Sequence, residues 1–264
     1  MRAGRPGPPG DPLSLAQWQR EIEQAGGGRL VVVRVETDRA ENVLRIPAEF
    51  PGRGLVRNFL LDDSFVAQLV RAHALSLNAT GEDGLFHFIL LNMALAVDWE
   101  GLEDSLLAHE FGHAWLHVQG YRSATRLDTP CLATIAGDIV QHVLIREEAG
   151  RRGFSAGAYS RRNLESWLDA MESPSHTAPL DPCRRLQALS MWMDAALGEP
   201  DWPRRSRFLA LFDSRYAALS DPARRLESFI AGLNLWDRTH YEAALHFTLQ
   251  LLAGVLSQTP GIRL

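Results

Sequence analysis

The residues best placed by type and spacing to do chemistry are His109, Glu110 and His113, in the run His109-Glu110-Phe111-Gly112-His113. Two histidines four apart on a helix project from one face. There, two imidazole nitrogens can grip one Zn²⁺ at about 2.0–2.1 Å each. Glu110 is turned about 100° round the helix from His109. From there its carboxylate can reach a water at the metal and take its proton, the arrangement needed for hydrolysis of a polarised carbonyl. With 9 histidines in 264 residues, chance supplies such an H-E-x-x-H pattern only roughly 0.02 times per chain.

The residues around the motif strengthen it. Leu102, Leu106, Leu107, Ala108, Phe111, Ala114, Trp115, Leu116 and Val118 make the predicted helix, 102–118, apolar on nearly every side. Such a helix is central and buried. Two histidines and a glutamate inside it cost several kcal/mol, of order, unless partners satisfy them, and a metal supplies partners. Gly112 costs about 1 kcal/mol of helix propensity, which fits a site where another backbone comes close. His117 continues the four-residue spacing. Three consecutive turns of one straight helix converge poorly on one ion, so His117 is expected in the core or behind the ligands.

A catalytic zinc takes three protein ligands and keeps one position open. The extended metzincin pattern requires Gly at 116 and His at 119; the chain has Leu116 and Gln119. The third ligand therefore lies further on, and the expected one is His142, set in the apolar run Ile139-Val140-Gln141-His142-Val143-Leu144-Ile145. Asp138, one turn earlier on the same flank, is expected to orient it, and is itself the next candidate. Glu147 and Glu148 remain open alternatives in the charged stretch REEAGRR. A core histidine bonded to a backbone carbonyl is the competing reading of His142.

Composition narrows the rest. Hydrophobic residues make up 46% and charged residues 22%, so the chain can bury a full core. The net charge of −5 and the lack of a basic block give no nucleic-acid surface. All 27 basic residues are Arg, which excludes Schiff-base, general-base and phosphate-loop lysines. Cys131 and Cys183 are too few for a disulfide framework and form no CxxC pair. The start, MRAGRPGPPGDP, has no apolar signal region. The longest apolar runs are about half of a span of ~20 residues. A cytoplasmic protein with a peptide or protein substrate, no nucleic acid and no membrane partner is the expectation. Asn78-Ala79-Thr80 matches a glycosylation acceptor that such a protein does not use.

Around the motif the elements read as follows. Residues 1–12 form a disordered tail. Leu13 to Ala25 is an amphipathic helix stopped by Gly26-Gly27-Gly28. Leu30 to Val35 is a strand with Val43 to Ile46 as partner. Asp62 to Ala74 is helical, and Leu85 to Val97 is a buried strand running into a loop. Gly120 closes the motif helix, and Cys131 to about Glu148 is the next. Helices follow at 161–171, 184–197, 206–218, 222–234 and 239–257, with Asp221-Pro222 as cap and first residue of the fourth. The expected division is a tail 1–12, a catalytic region 13–158 and a helical region 159–264 packed on it.

His109-Glu110-Phe111-Gly112-His113 followed by Ala114-Trp115-Leu116-His117 resembles the H-E-x-G-H-x-x-x-H helix of zincin-like peptidases. One such group cleaves phage repressors or stress regulators in bacteria and takes its third ligand from a glutamate on the following helix. Glu147 or Glu148 matches that position only loosely. That group's Asn-x-Phe-Ala continuation is replaced by Ala149-Gly150-Arg151-Arg152-Gly153-Phe154. The stretch Ala133 to Phe154 is closer to uncharacterised bacterial zincin-like proteins with an Asp or His at the place of His142. The resemblance spans residues 100–155. It implies an α+β, zincin-like fold with a small twisted sheet beside the motif helix, Zn²⁺ as cofactor, and peptide hydrolysis with Glu110 as general base. In such sites an extended substrate often pairs with a sheet edge; Phe86 to Leu91 is the nearest strand in sequence.

Three lesser features complete the reading. Gly153-Phe154-Ser155-Ala156-Gly157 fits G-x-S-x-G but lacks the strand that should precede it. Trp192, Trp202 and Trp236 are expected in the core. Tyr121, Tyr159, His176, His240 and Tyr241 are candidates for stabilising an oxyanion. The rival reading is a non-catalytic or latent zinc-binding regulator that retains the motif helix. An intact Glu110 opposes it, because a structural site needs ligands only, and usually four, rich in Cys.

Overall fold

The computed structural model describes residues 14–38, 43–123, 130–173 and 181–257. The expected tail at 1–12 and His176 lie outside them. The chain divides into two compact units: residues up to Val118 with Glu148–Ala156, and Gln119–Glu147 with Gly157–Leu264. The class is α+β.

The first unit opens with α1 (Leu15–Gly26), started by the Ser14 hydroxyl, which accepts from the Gln17 N–H, and ended by Gly27 at φ 63°. Trp18 and Ile22, four apart, are its buried residues. Four strands follow: β1 (Arg29–Asp38), β2 (Val43–Arg45), β3 (Ala74–Gly81) and β4 (Gly84–Asn92). Their order in the sheet is β2-β1-β4-β3. β1 and β4 are parallel, with Val31 beside Phe88. β2 pairs antiparallel with β1, and β3 with β4.

β4 is thus an interior strand. Its neighbours on both sides occupy its backbone groups, and burial on both faces explains its largely apolar sequence. This corrects the expectation that Phe86 to Leu91 offers an edge to a substrate. Alternation along β4 sends Phe86, Phe88 and Leu90 to one face, where they pack with Val33, Val35, Val56, Leu69 and Leu77. Val56 lies on α2 (Arg53–Phe59) and Leu69 on α3 (Asp63–Leu69). His87, Ile89 and Leu91 point to the opposite face.

The helix expected over Asp62 to Ala74 is shorter, because Ala74 already begins β3. Asn92, fully buried at the end of β4, donates to the carbonyls of Leu69 (2.9 Å) and Ala72 (3.2 Å) and so satisfies the end of α3. The strand stops at the same residue: Asn92 Oδ1 accepts from the Ala94 N–H and opens a 3₁₀ turn, Met93–Trp99. The motif helix is α4 (Glu103–Val118), with Leu106, Ala108, Glu110, Phe111, Gly112, Ala114 and Leu116 buried, and Gly120 beyond its end at φ 84°.

α5 (Pro130–Arg151) is one continuous helix whose last turn counts with the first unit. There Arg152 lies 4.8 Å over Trp18 and 4.7 Å over Trp115, and bonds Glu148 (2.8 Å) and Glu21 (2.5 Å). The second unit is helical: most of α5, then α6 (Ala156–Glu172), α7 (Pro182–Met193), a π-helical turn (Asp194–Gly198), α8 (Arg205–Arg215), α9 (Ala217–Ala231) and α10 (Arg238–Ser257). α9 starts five residues before Pro222, so Asp221-Pro222 lies inside the helix and is not its cap. Cys131 and Cys183 form a disulfide between the first turns of α5 and α7, Cα to Cα 5.7 Å. No described helix is long and apolar enough to cross a membrane.

Candidate metal centre

The candidate ligands lie on two helices, α4 and α5. On α4, His109 and His113 have ring centroids 5.1 Å apart and planes at 79°, the geometry of two side chains stacked one turn apart on a single face. Glu110, between them in sequence, is 6% exposed. His117, a turn further on, lies against the sheet: its ring is 5.5 Å from that of His87, at 71°. His87 is fully buried on β4, with Nδ1 hydrogen-bonded to Asn78 Oδ1. Burial, helped by His117, holds the His87 imidazole down at about pKa 4, so it is neutral at physiological pH.

On α5, His142 is near the interior, with 12% of its side chain exposed. Its Nδ1 is 3.2 Å from Asp194 Oδ1, and the same oxygen accepts from Arg146 Nη1 at 2.8 Å. Burial would raise the Asp194 carboxyl, but Arg146 and His142 outweigh it and hold the pKa at about 2. Asp138 is pushed the other way. Burial raises it, His142 pulls it down, and Asp194 adds to the rise, leaving it at about 6. The carboxylate seen bonded to the His142 ring is therefore Asp194, 52 residues on, where Asp138 was expected.

His109, His113 and His142 come together. One ligand atom from each lies within 4.8 Å of the other two, and the three are positioned to bind a metal ion. No fourth His, Cys, Asp or Glu belongs to this group among the described residues.

The other expected ligands have different partners. Glu147 accepts from Trp236 Nε1 at 2.8 Å. Glu148 accepts from Arg152 and, at 2.9 Å, from Arg151. The disulfide removes both cysteine sulfurs from the pool of thiolate ligands. Trp192 and Trp202 are buried as expected, while Trp236 is partly exposed. Of the oxyanion candidates, the Tyr121 hydroxyl donates to the Trp236 carbonyl (2.7 Å) and that of Tyr241 to the Arg122 carbonyl (3.0 Å). Burial pushes Tyr241 up to about 12. His240 Nδ1 accepts from the Asn234 N–H. Ser155 of the G-x-S-x-G match precedes α6 and follows a helix end, with no strand before it, and its carbonyl accepts from Ser105.

Sequence reasoning missed Asp194 and Arg146. A signal was present: Asp194 is the lone charge in Ala188-Leu189-Ser190-Met191-Trp192-Met193-Asp194-Ala195-Ala196-Leu197, the same pattern that drew attention to His142. No protein-family model, curated protein or solved structure matches the chain.

Proposed function

We propose that the protein is a zinc-dependent peptidase of the zincin kind, with His109, His113 and His142 as metal ligands and Glu110 as general base. The observation that carries this reading is the meeting of the two motif histidines with a third histidine from another helix, with a buried glutamate next to His109 in sequence. Three imidazole nitrogens suit a catalytic zinc, which takes three protein ligands and keeps one position for water or substrate. Bound there, the ion would acidify a water and polarise a peptide carbonyl. The Glu110 carboxylate takes a proton from the attacking water and returns it to the leaving amine nitrogen as the C–N bond breaks. His142, whose Nδ1 is bonded to Asp194, would hold the ion through its other nitrogen. For the substrate, one sheet edge is β3, which pairs with β4 on one side and with no other strand among the described residues; the other edge strand, β2, is only three residues long. An extended peptide would add there.

Purified protein should carry about one zinc per chain by elemental analysis. His109→Ala, His113→Ala and His142→Ala should each lose it, because two ligands hold the ion weakly. Glu110→Gln should keep the zinc and lose peptide hydrolysis by orders of magnitude. Full zinc occupancy in the histidine variants overturns the site, and wild-type turnover in Glu110→Gln overturns the mechanism. A protein that holds zinc but cleaves nothing is the non-catalytic regulator.

A further inference from the structure

We propose that Asp194 is a positioning residue for the metal centre: it fixes the His142 ring in the tautomer and orientation that turn Nε2 to the ion. The inference rests on the reading of His142 as a ligand. It adds a residue from a distant helix that the motif does not contain.

The argument begins with Asp194 itself. It is 6% exposed, among apolar neighbours. A carboxylate in such a place is retained only if its oxygens are engaged. Its Oδ1 accepts from Arg146 and faces His142 Nδ1. Arg146 and His142 are four apart on α5, so one carboxylate addresses two residues on one face of that helix. An arginine cannot give up its charge in a protein. It keeps Asp194 an acceptor, and the His142 nitrogen beside that acceptor must carry the hydrogen. With Nδ1–H directed at Asp194, the lone pair lies on Nε2. Histidines that bind metals almost always have their other N–H held by a carboxylate, a carbonyl or water.

The backbone supports the arrangement. Asp194 opens a π-helical turn, Asp194–Gly198, that continues α7. Such turns are rare and often occur at functional sites. The turn ends at Gly198, where any Cβ would collide with the Arg146 guanidinium. The missing side chain makes room for Arg146 beside Asp194. Gly198, Arg146 and Asp194 thus form a relay that ends at His142.

The test uses the full chain and two readouts. Zinc affinity is measured by competition with a chromogenic chelator. The His142 tautomer is read in metal-free protein by imidazole ¹⁵N NMR, with the resonances assigned by their loss in His142→Gln. Wild type should show hydrogen on Nδ1. Asp194→Ala should show mixed tautomers and bind zinc about 10–100-fold more weakly. Gly198→Ala, which displaces Arg146 and touches no ligand, should weaken zinc binding in the same direction. A merely structural Asp194 would lower the melting temperature and leave tautomer and affinity unchanged, which overturns the proposal. If Asp194→Ala does not fold, Asp194→Asn keeps the volume with a weaker acceptor, and unchanged affinity there overturns it equally. Loss of the metal reading looks different: wild type without zinc, or His142→Ala with full occupancy, takes this inference down with it. A zinc-loaded wild type matched by equal affinity in the Asp194 variants removes only the positioning role.

Discussion

His87 offers a test of the sheet–helix packing behind α4 that is independent of the metal. It is fully buried, hydrogen-bonded to Asn78 and 5.5 Å from His117. Its folded pKa of about 4 stands against an ordinary value of 6.5. The unfolded chain therefore takes up a proton first as pH falls. The contribution to stability is fully present above pH 6.5 and is lost as pH falls through about 4. The fall from 6.5 to about 4 corresponds to roughly 3 kcal/mol, most of which is already gone at pH 4.5. The measurement is urea unfolding in steps from pH 7 to pH 4.5, with a chelator present so that proton competition for metal does not enter. His87→Gln keeps a polar group near Asn78 and cannot titrate. Its stability at pH 7 can differ from wild type by any constant; the slope decides. Wild type should lose about 2–3 kcal/mol more than His87→Gln over this range. Parallel curves would refute the claim that a neutral His87 is built into the fold.

Two further perturbations probe the scaffold. Arg152→Met leaves Glu148 without its buried partner and removes the cation from between Trp18 and Trp115; a loss of about 3 kcal/mol in chemical denaturation is expected, with zinc stoichiometry unchanged, and a loss of zinc would mean Glu148 serves the site. Replacing Cys131 and Cys183 by serine together opens a loop whose ends are 52 residues apart; the chain-entropy cost is about 4 kcal/mol, so the variant should unfold at clearly lower urea than wild type, and equal midpoints would show that the bond adds nothing.

What could be read in the sequence divides along a physical line. Local patterns were legible. Ser14, Trp18, Ile22 and Gly27 mark the start, face and end of α1 within a few residues of each other. The apolar surround of His109 and His113 announced a buried α4. Pairings between distant residues were not. Asp138 was the natural partner for His142 because helical spacing makes it visible, whereas Asp194 is brought there by the packing of another helix. Glu148 lies in the charged stretch REEAGRR and is nevertheless buried, because the Arg152 that binds it stacks on Trp18, which is far away in sequence, whereas Glu147 is exposed.

The same contrast accounts for β4, where the local signal was present and its consequence was missed. An edge strand covered on one face alternates polar with apolar residues; Phe86-His87-Phe88-Ile89-Leu90-Leu91 does not, and its one polar side chain is the buried His87. A strand buried on both faces belongs inside a sheet, where its backbone is already paired. β3 does alternate at its end, Asn78-Ala79-Thr80, with Asn78 and Thr80 exposed and Ala79 half-buried, as suits a strand with a free edge. Residue cost is thus a better guide than proximity in sequence. A histidine in an apolar helix and an aspartate in an apolar turn each demanded a partner, and in the fold they are partners of each other.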